Sequence, residues 1–127
     1  MDILLVDDNA DYLLLLREAL YASGYNVFLA RDGLEAQEVL GCSNIDLIIS
    51  GLRPSHFDGL RLHSYARGSE KHKKTRFMFI INDDDATSSL LKLNPKLDFT
   101  LHKSTPMKDF VRLVDSLRLK RFEDEWA

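Results

Sequence analysis

Asp7 and Asp8 stand side by side at the end of the apolar run Ile3-Leu4-Leu5-Val6, and Lys103 follows a second run, Phe99 to His102, far down the chain. Two adjacent carboxylates at the mouth of a buried strand are costly unless positive charge lies near them. Alone, such a pair is ordinary cap or turn chemistry. With a lysine at the end of the last strand of the same sheet, it becomes a charged constellation. The other residues of chemical type carry less. Asp83-Asp84-Asp85 precedes a helical stretch, where acids complement the helix dipole, so capping is favoured over a metal cluster. His56, His63, His72 and His102 are scattered without ligand spacing and read as structural or solvent-facing. Cys42 is alone, which excludes a disulfide framework and a thiolate metal site. Lys71-His72-Lys73-Lys74 is the only basic run and reads as a solvated loop.

The elements that must position Asp7, Asp8 and Lys103 follow from short apolar runs alternating with helical periods. Ile3 to Val6 has the continuous apolarity of a buried parallel strand. Asn9 is then a plausible N-cap for a helix that Gly24 ends. Asn26 to Ala30 reads as a second strand, closed by Arg31-Asp32-Gly33. A short amphipathic helix follows, with Leu34, Ala36, Val39 and Leu40 on its apolar side. Leu47 to Ser50 is a third strand, and Gly59 to Arg67 a third helix. Phe77-Met78-Phe79-Ile80-Ile81 is the most apolar run and is expected to be the central strand. A helix over Ala86 to Leu93 is broken at Asn94-Pro95. Phe99 to His102 is a fifth strand. Thr105 as N-cap and Pro106 at the first helical position open a last helix, faced by Phe110, Leu113, Val114 and Leu117.

Strand-helix alternation predicts an α/β fold: a five-stranded parallel sheet with five alternating helices in three layers, doubly wound in flavodoxin-like fashion. Such sheets carry function at the carboxyl ends of their strands. That edge holds Asp7 and Asp8, Gly51, Ile81 with Asn82, and Lys103.

In this order the fragments resemble the receiver domains of two-component response regulators, of the chemotaxis-regulator type. The resemblance rests on Ile3-Leu4-Leu5-Val6-Asp7-Asp8-Asn9, Ala30-Arg31-Asp32-Gly33, Asp46-Leu47-Ile48-Ile49 with Pro54 and Phe57-Asp58-Gly59, and Lys103. It implies a receiver domain over residues 1–119, with 120–127 a helical extension or tail. In that family an aspartate ending the third strand takes a phosphoryl group from a kinase phosphohistidine. The acidic pair helps bind Mg²⁺, and the lysine pairs with phosphoryl oxygens. A hydroxyl ending the fourth strand and an aromatic in the fifth respond to the phosphate.

Asp7, Asp8 and Lys103 match these roles. The acceptor position, counted forward from Asp46 or back from Asp58-Gly59, is Gly51. The fourth-strand hydroxyl position is Ile81, and the aromatic position is Thr100. Glycine offers no nucleophile, so an acyl phosphate cannot form there. Ser50 is adjacent, but alternation turns it to the opposite face. Mg²⁺ wants six near-octahedral oxygens. Asp7, Asp8 and the Arg53 carbonyl make at most a vestigial site, so no cofactor is expected and Mg²⁺ binding is weak or absent.

Two parts of the phosphorylation switch are therefore missing, and the reading is a pseudo-receiver acting by protein contact rather than an enzyme. The resemblance implies a partner surface over Ala86–Leu93, Phe99–His102 and Met107–Leu119 for a signalling kinase, effector or output domain, with a homodimer also compatible. The alternative is a small-ligand- or cofactor-binding module on a flavodoxin-like fold. The acidic loop Asp7-Asp8-Asn9 speaks against it, since a phosphate cradle is glycine- and hydroxyl-rich. A net charge of −3 gives no footprint for nucleic acid or anionic membrane, and no apolar run is long enough to span a bilayer. The absence of a basic leader and the single cysteine lead to an expected cytoplasmic location.

Overall fold

A computed structural model describes residues 1–52, 59–82 and 93–126, with side chains described as far as residue 118. The elements are β1 (Asp2–Val6), α1 (Ala10–Ala22), β2 (Asn26–Ala30), α2 (Gly33–Cys42), β3 (Leu47–Gly51), α3 (Gly59–Gly68), β4 (Arg76–Ile81), β5 (Asp98–His102) and α4 (Met107–Trp126). The strands form one sheet in the order β2-β1-β3-β4-β5, every pair parallel. The expected α/β architecture is present.

Strand alternation divides the core in two. Ile3, Leu5, Leu47, Ile49, Met78 and Ile80 face one way, against Leu13, Leu16 and Leu20 of α1 and Phe110, Val114 and Leu117 of α4. Leu4, Val6, Ile48, Phe77 and Phe79 face the other way, against Ala36 and Leu40 of α2 and Leu62 and Ala66 of α3. The interiors of β1, β3 and β4 are apolar on both faces apart from Ser50, as burial under two helical layers requires.

Helix ends follow local chemistry. The Asn9 side chain accepts from the Tyr12 N–H at 3.1 Å, which caps α1. At its other end Gly24 takes φ +90°, its N–H donates to the Tyr21 carbonyl, and the Tyr25 N–H reaches back to Leu20. This paired closure needs a left-handed residue, for which glycine has no Cβ penalty. Asp32 caps α2 by accepting from the Glu35 N–H at 2.8 Å, while the Glu35 carboxylate accepts from the Arg31 N–H.

Several expectations are adjusted. Four helices stand among the described residues. Of the helix expected over Ala86–Leu93, residues 86–92 lie outside the described residues, as do Asp83-Asp84-Asp85, and Leu93 itself is not helical. The middle strand is β3, with β4 one place nearer the edge. Every strand with neighbours on both sides is mostly apolar, so apolarity marks an interior strand without ranking it. The last helix starts one residue late: the Pro106 carbonyl accepts from the Phe110 N–H, so Pro106 is the cap position. Leu34 is exposed on α2 rather than buried. The helix α4 continues through residues 120–126 without interruption.

Candidate functional site

Because all strands run the same way, the carboxyl ends of β1, β3, β4 and β5 are neighbours along one edge. That edge brings Asp7 and Asp8, Gly51, Ile81 and Lys103 together. The Asp7 N–H donates to the Ala30 carbonyl at 3.2 Å, carrying the β1–β2 ladder past the strand. Its Oδ1 accepts from the Asn9 N–H at 2.9 Å, a local turn that bends the chain into α1. On the other side, the Lys103 N–H donates to the Ile81 carbonyl at 2.8 Å, so the lysine backbone is tied to the end of β4.

The Lys103 ammonium lies 4.5 Å from the centre of the Tyr12 ring. Tyr12 is in the first turn of α1, and the Asn9 cap sets where that turn begins. Sequence reasoning gave Tyr12 no role. Nothing in a linear pattern marks an aromatic on one helix as the seat of a cation from a distant strand. Burial pushes the Asp7 carboxyl above its ordinary value, the Asn9 N–H and the Lys103 charge pull it back, and Asp8 raises it again through charge and a hydrogen bond. Burial, with the charge of Asp7, also raises the Tyr12 hydroxyl.

At the third strand, Gly51 pairs with Ile80, and its carbonyl accepts from the Ser50 hydroxyl at 2.8 Å. Ser50 is fully buried, in register with Val6 and Phe79 on the α2–α3 side. Its hydroxyl is committed to that carbonyl, and alternation points it away from the acidic pair as expected. Gly59, the first residue of α3, sits hard against the same place: a Cβ there would come 2.1 Å from the Gly51 carbonyl oxygen and 3.0 Å from that of Leu52. Ile81 is half-buried and in register with His102, while Thr100, opposite Phe79, is exposed. Phe99, one position earlier, packs into the α1–α4 side of the core.

Mg²⁺ would have Asp7 and Asp8 as carboxylate ligands. The Asp7 Oδ1 is already engaged with Asn9, and the glycine at 51 adds no side-chain oxygen. Arg53 and Asp58 lie outside the described residues. Among the described residues no three His, Cys, Asp or Glu side chains gather in a way that could hold a metal ion. This donor set fits a hard six-coordinate cation poorly.

Two other buried polar groups lie away from this edge. His72 is buried, not solvated with its lysine neighbours: its Nε2 donates to the Leu40 carbonyl at 2.7 Å, and its Nδ1 lies 3.3 Å from the Thr75 hydroxyl. Asp98, at the start of β5, is held by His63 Nε2 at 2.9 Å, Arg67 at 2.5 Å and the Asn94 N–H at 2.8 Å. Burial raises the Asp98 carboxyl, but these donors outweigh it and hold the group below its ordinary value. The reading of His63 and His72 as structural holds for both. Among the described residues no helix is long and apolar enough to cross a membrane.

Comparison with known proteins agrees with the fold just described. A family model described as response regulator receiver domain matches residues 3–115. The transcriptional regulatory protein GlrR of Escherichia coli K12 is 43% identical over 60 residues, which is 47% of this chain and 14% of that protein. The chain thus spans a small part of that relative's length. Among solved structures, the signal receiver domain of an HD domain-containing protein from Pseudomonas fluorescens Pf-5 superposes with a TM-score of 0.83 at 22% identity, covering 96% of this chain and 97% of that one. The receiver domain of sensor histidine kinase PA1611 from Pseudomonas aeruginosa PAO1, solved with a magnesium ion coordinated in its active site cleft, gives a TM-score of 0.79 at 22% identity over 91% of this chain and 95% of that one. At those identities the structures speak for the fold alone. The match over residues 3–115, on a parallel sheet of this order, makes this chain a member of the response regulator receiver domain family.

Proposed function

We propose that this receiver domain works without phosphorylation at its third-strand position and passes its signal through protein contacts. One observation carries the reading: the residue ending β3, beside Asp7 and Asp8 on the same edge, is Gly51. An acyl phosphate needs a carboxylate, and glycine has none. The buried hydroxyl of Ser50, bonded to the Gly51 carbonyl, is not a substitute nucleophile. Ile81 at the end of β4 has no hydroxyl to bond a phosphate, so the coupling from a phosphoryl group to β4 is absent as well. Asp7 and Asp8 are then a vestige of a metal site, with weak or no Mg²⁺ binding.

Receiver domains exchange signals with kinases and effector domains, and the proposed contact surface is the exposed side of β5 together with α4 and the segment Ala86–Leu93. Of that segment, residues 86–92 lie outside the described residues. The edge position of β5 and the exposure of Thr100 support this choice. A cytoplasmic location belongs to the same reading.

The test is intact-mass analysis after incubation with acetyl phosphate and Mg²⁺, where no base-labile phosphoryl adduct should appear. A stoichiometric gain of one phosphoryl group would overturn the proposal. In parallel, Gly51→Asp should bind Mg²⁺ more tightly than the parent chain. Its partner binding should be the same with and without phosphorylation of the new carboxylate, because Ile81 still interrupts the relay.

A further inference from the structure

At the opposite end of the sheet from Asp7 and Lys103, the turns that enter β3, β4 and β5 enclose a groove of about 500 Å³. Asn44, Asp46, Lys71, Lys74, Arg76 and Lys96 line it. These are four cations against one carboxylate, on a chain whose net charge is −3. The cations come from two separate turns, those entering β4 and β5, so the concentration of charge exists only in the folded chain. The one carboxylate leaves an excess of positive charge, and its place is fixed by Asp46 Oδ2 accepting from the Asp2 N–H at 2.7 Å. The ammonium groups of Lys71, Lys74 and Lys96 make no ion pair among the described residues. By contrast, Lys73, in the same turn, pairs with Glu70 at 3.1 Å.

The turn that carries Lys71 and Lys74 is anchored. Between them His72 is buried and bonded to the Leu40 carbonyl. Just beyond, Thr75 is buried, its hydroxyl donating to the Ile45 carbonyl at 3.4 Å and its own carbonyl accepting from Arg67 at 2.6 Å. The fourth cation is held as well: the Arg76 guanidinium donates to the Leu117 carbonyl at 3.1 Å. The buried His72 fixes the backbone between Lys71 and Lys74 at the rim of the groove. Ligand binding gains from such preorganisation because less side-chain and loop freedom is lost.

We infer that this groove binds a small anion carrying two or more phosphate groups, as a nucleoside di- or triphosphate or a short inorganic polyphosphate does. Its volume falls in the range of small-molecule sites. Several cations converging on one concavity suit clustered phosphate charge, which lysine and arginine bind by charge-assisted hydrogen bonds. The apolar lining is Ile45, which is buried, and Leu97, which leaves an acidic peptide little to anchor on. The cations form one pocket rather than the long stripe that a nucleic acid backbone needs. The groove is remote from Gly51, and the inference stands whether or not position 51 takes a phosphoryl group.

The experiment titrates the full chain with ATP, GTP and inorganic tripolyphosphate, with a chelator present, and follows backbone amide shifts. Saturable binding is expected, with perturbations gathered at residues 44–46, 71–76 and 96–97. Replacing three exposed lysines together, Lys71→Gln with Lys74→Gln and Lys96→Gln, should weaken binding at least about tenfold. Lys73→Gln, whose ammonium is already paired, should change it by less than about twofold. A nucleotide binding more tightly than tripolyphosphate means the base is also read, and equal affinities mean the phosphates alone are read. Either supports the site. No saturation at millimolar ligand, a loss in Lys73→Gln equal to that in the triple variant, or tighter binding of an oligo-glutamate peptide would overturn it.

Discussion

The residue at which expectation and geometry diverge most is Lys103. Its place beside the acidic pair suggests a neutralising ion pair, yet its ammonium rests over the Tyr12 ring, and its field at Asp7 ranks behind burial and the Asn9 N–H. An exposed cation–π contact contributes on the order of 0.5–1 kcal/mol, so Lys103→Met should destabilise the chain by about that much in urea unfolding. A loss of several kcal/mol would mean a buried ion pair instead. Asp7 makes the reverse prediction. Its carboxyl is raised above the ordinary 3.8 in the folded chain, so ionisation works against folding as pH rises from 3.8 through the folded value, and fully above it. Asp7→Asn keeps the oxygen that accepts from Asn9 and should raise the Tm at neutral pH. The gain should vanish below pH 3.8, where aspartate is protonated in folded and unfolded chains alike. Asp98 has the opposite sign, since its carboxyl is held below 3.8. Its stabilising contribution is complete above that value and is lost as pH falls through the folded one. At neutral pH, Asp98→Ala leaves the Arg67 and His63 donors without their acceptor and should cost about 3–5 kcal/mol. The gap between variant and parent in an acid unfolding series should narrow below pH 3.8.

Among the elements, the join between β3 and α3 is the tightest point near the site. The chain leaves β3 at Gly51 and begins α3 at Gly59 with the two glycines in near backbone contact. A side chain at 59 would push against the Gly51 and Leu52 carbonyls, which are backbone atoms and cannot swing aside. Gly59→Ala should therefore destabilise by about 3 kcal/mol, as overpacked sites do, and disturb amide shifts at Gly51 and Leu52. Gly24→Ala tests a different cause. There is open space around that position, and only the φ of +90° opposes a side chain. Its cost should be about 1–2 kcal/mol, with local fraying of α1 in hydrogen exchange. If the two substitutions cost the same, the steric account of Gly59 fails.

Across the whole molecule, the two ends of one parallel sheet have different chemistry. The carboxyl edge carries the acidic pair, with Gly51 at the end of β3 beside it. The amino edge carries the cationic groove. The α1–α4 layer lies on one face of the sheet and the α2–α3 layer on the other. Apolar residues also remain exposed on α1, and one of them, Leu15, lines a shallow cavity with Leu101, His102 and Met107, so it borders the surface proposed around β5 and α4.

The element order, the parallel sheet and the set of residues at its carboxyl edge were legible from the chain alone. Continuous apolar runs between helical periods allow few other arrangements, and strand ends are where such runs stop. Asn9 and Gly24 were legible for a related reason: caps depend on chemistry within a few residues. The identity of the glycine at 51 needed no coordinates either. What the chain could not reveal was every pairing between distant segments. The run Lys71-His72-Lys73-Lys74 looks uniformly solvated, because nothing local distinguishes the buried His72 from its neighbours. Only the Leu40 carbonyl, brought over by packing of α2 beside α3, takes that histidine inside. Asp98 looked like the residue before a strand, and its partners His63 and Arg67 lie a helix away. Lys103 could be placed at the acidic edge by counting, but its contact with Tyr12 depends on where the first turn of α1 lies over that edge. Local free-energy preferences are written in neighbouring residues, whereas the seats of single charges are decided by tertiary packing.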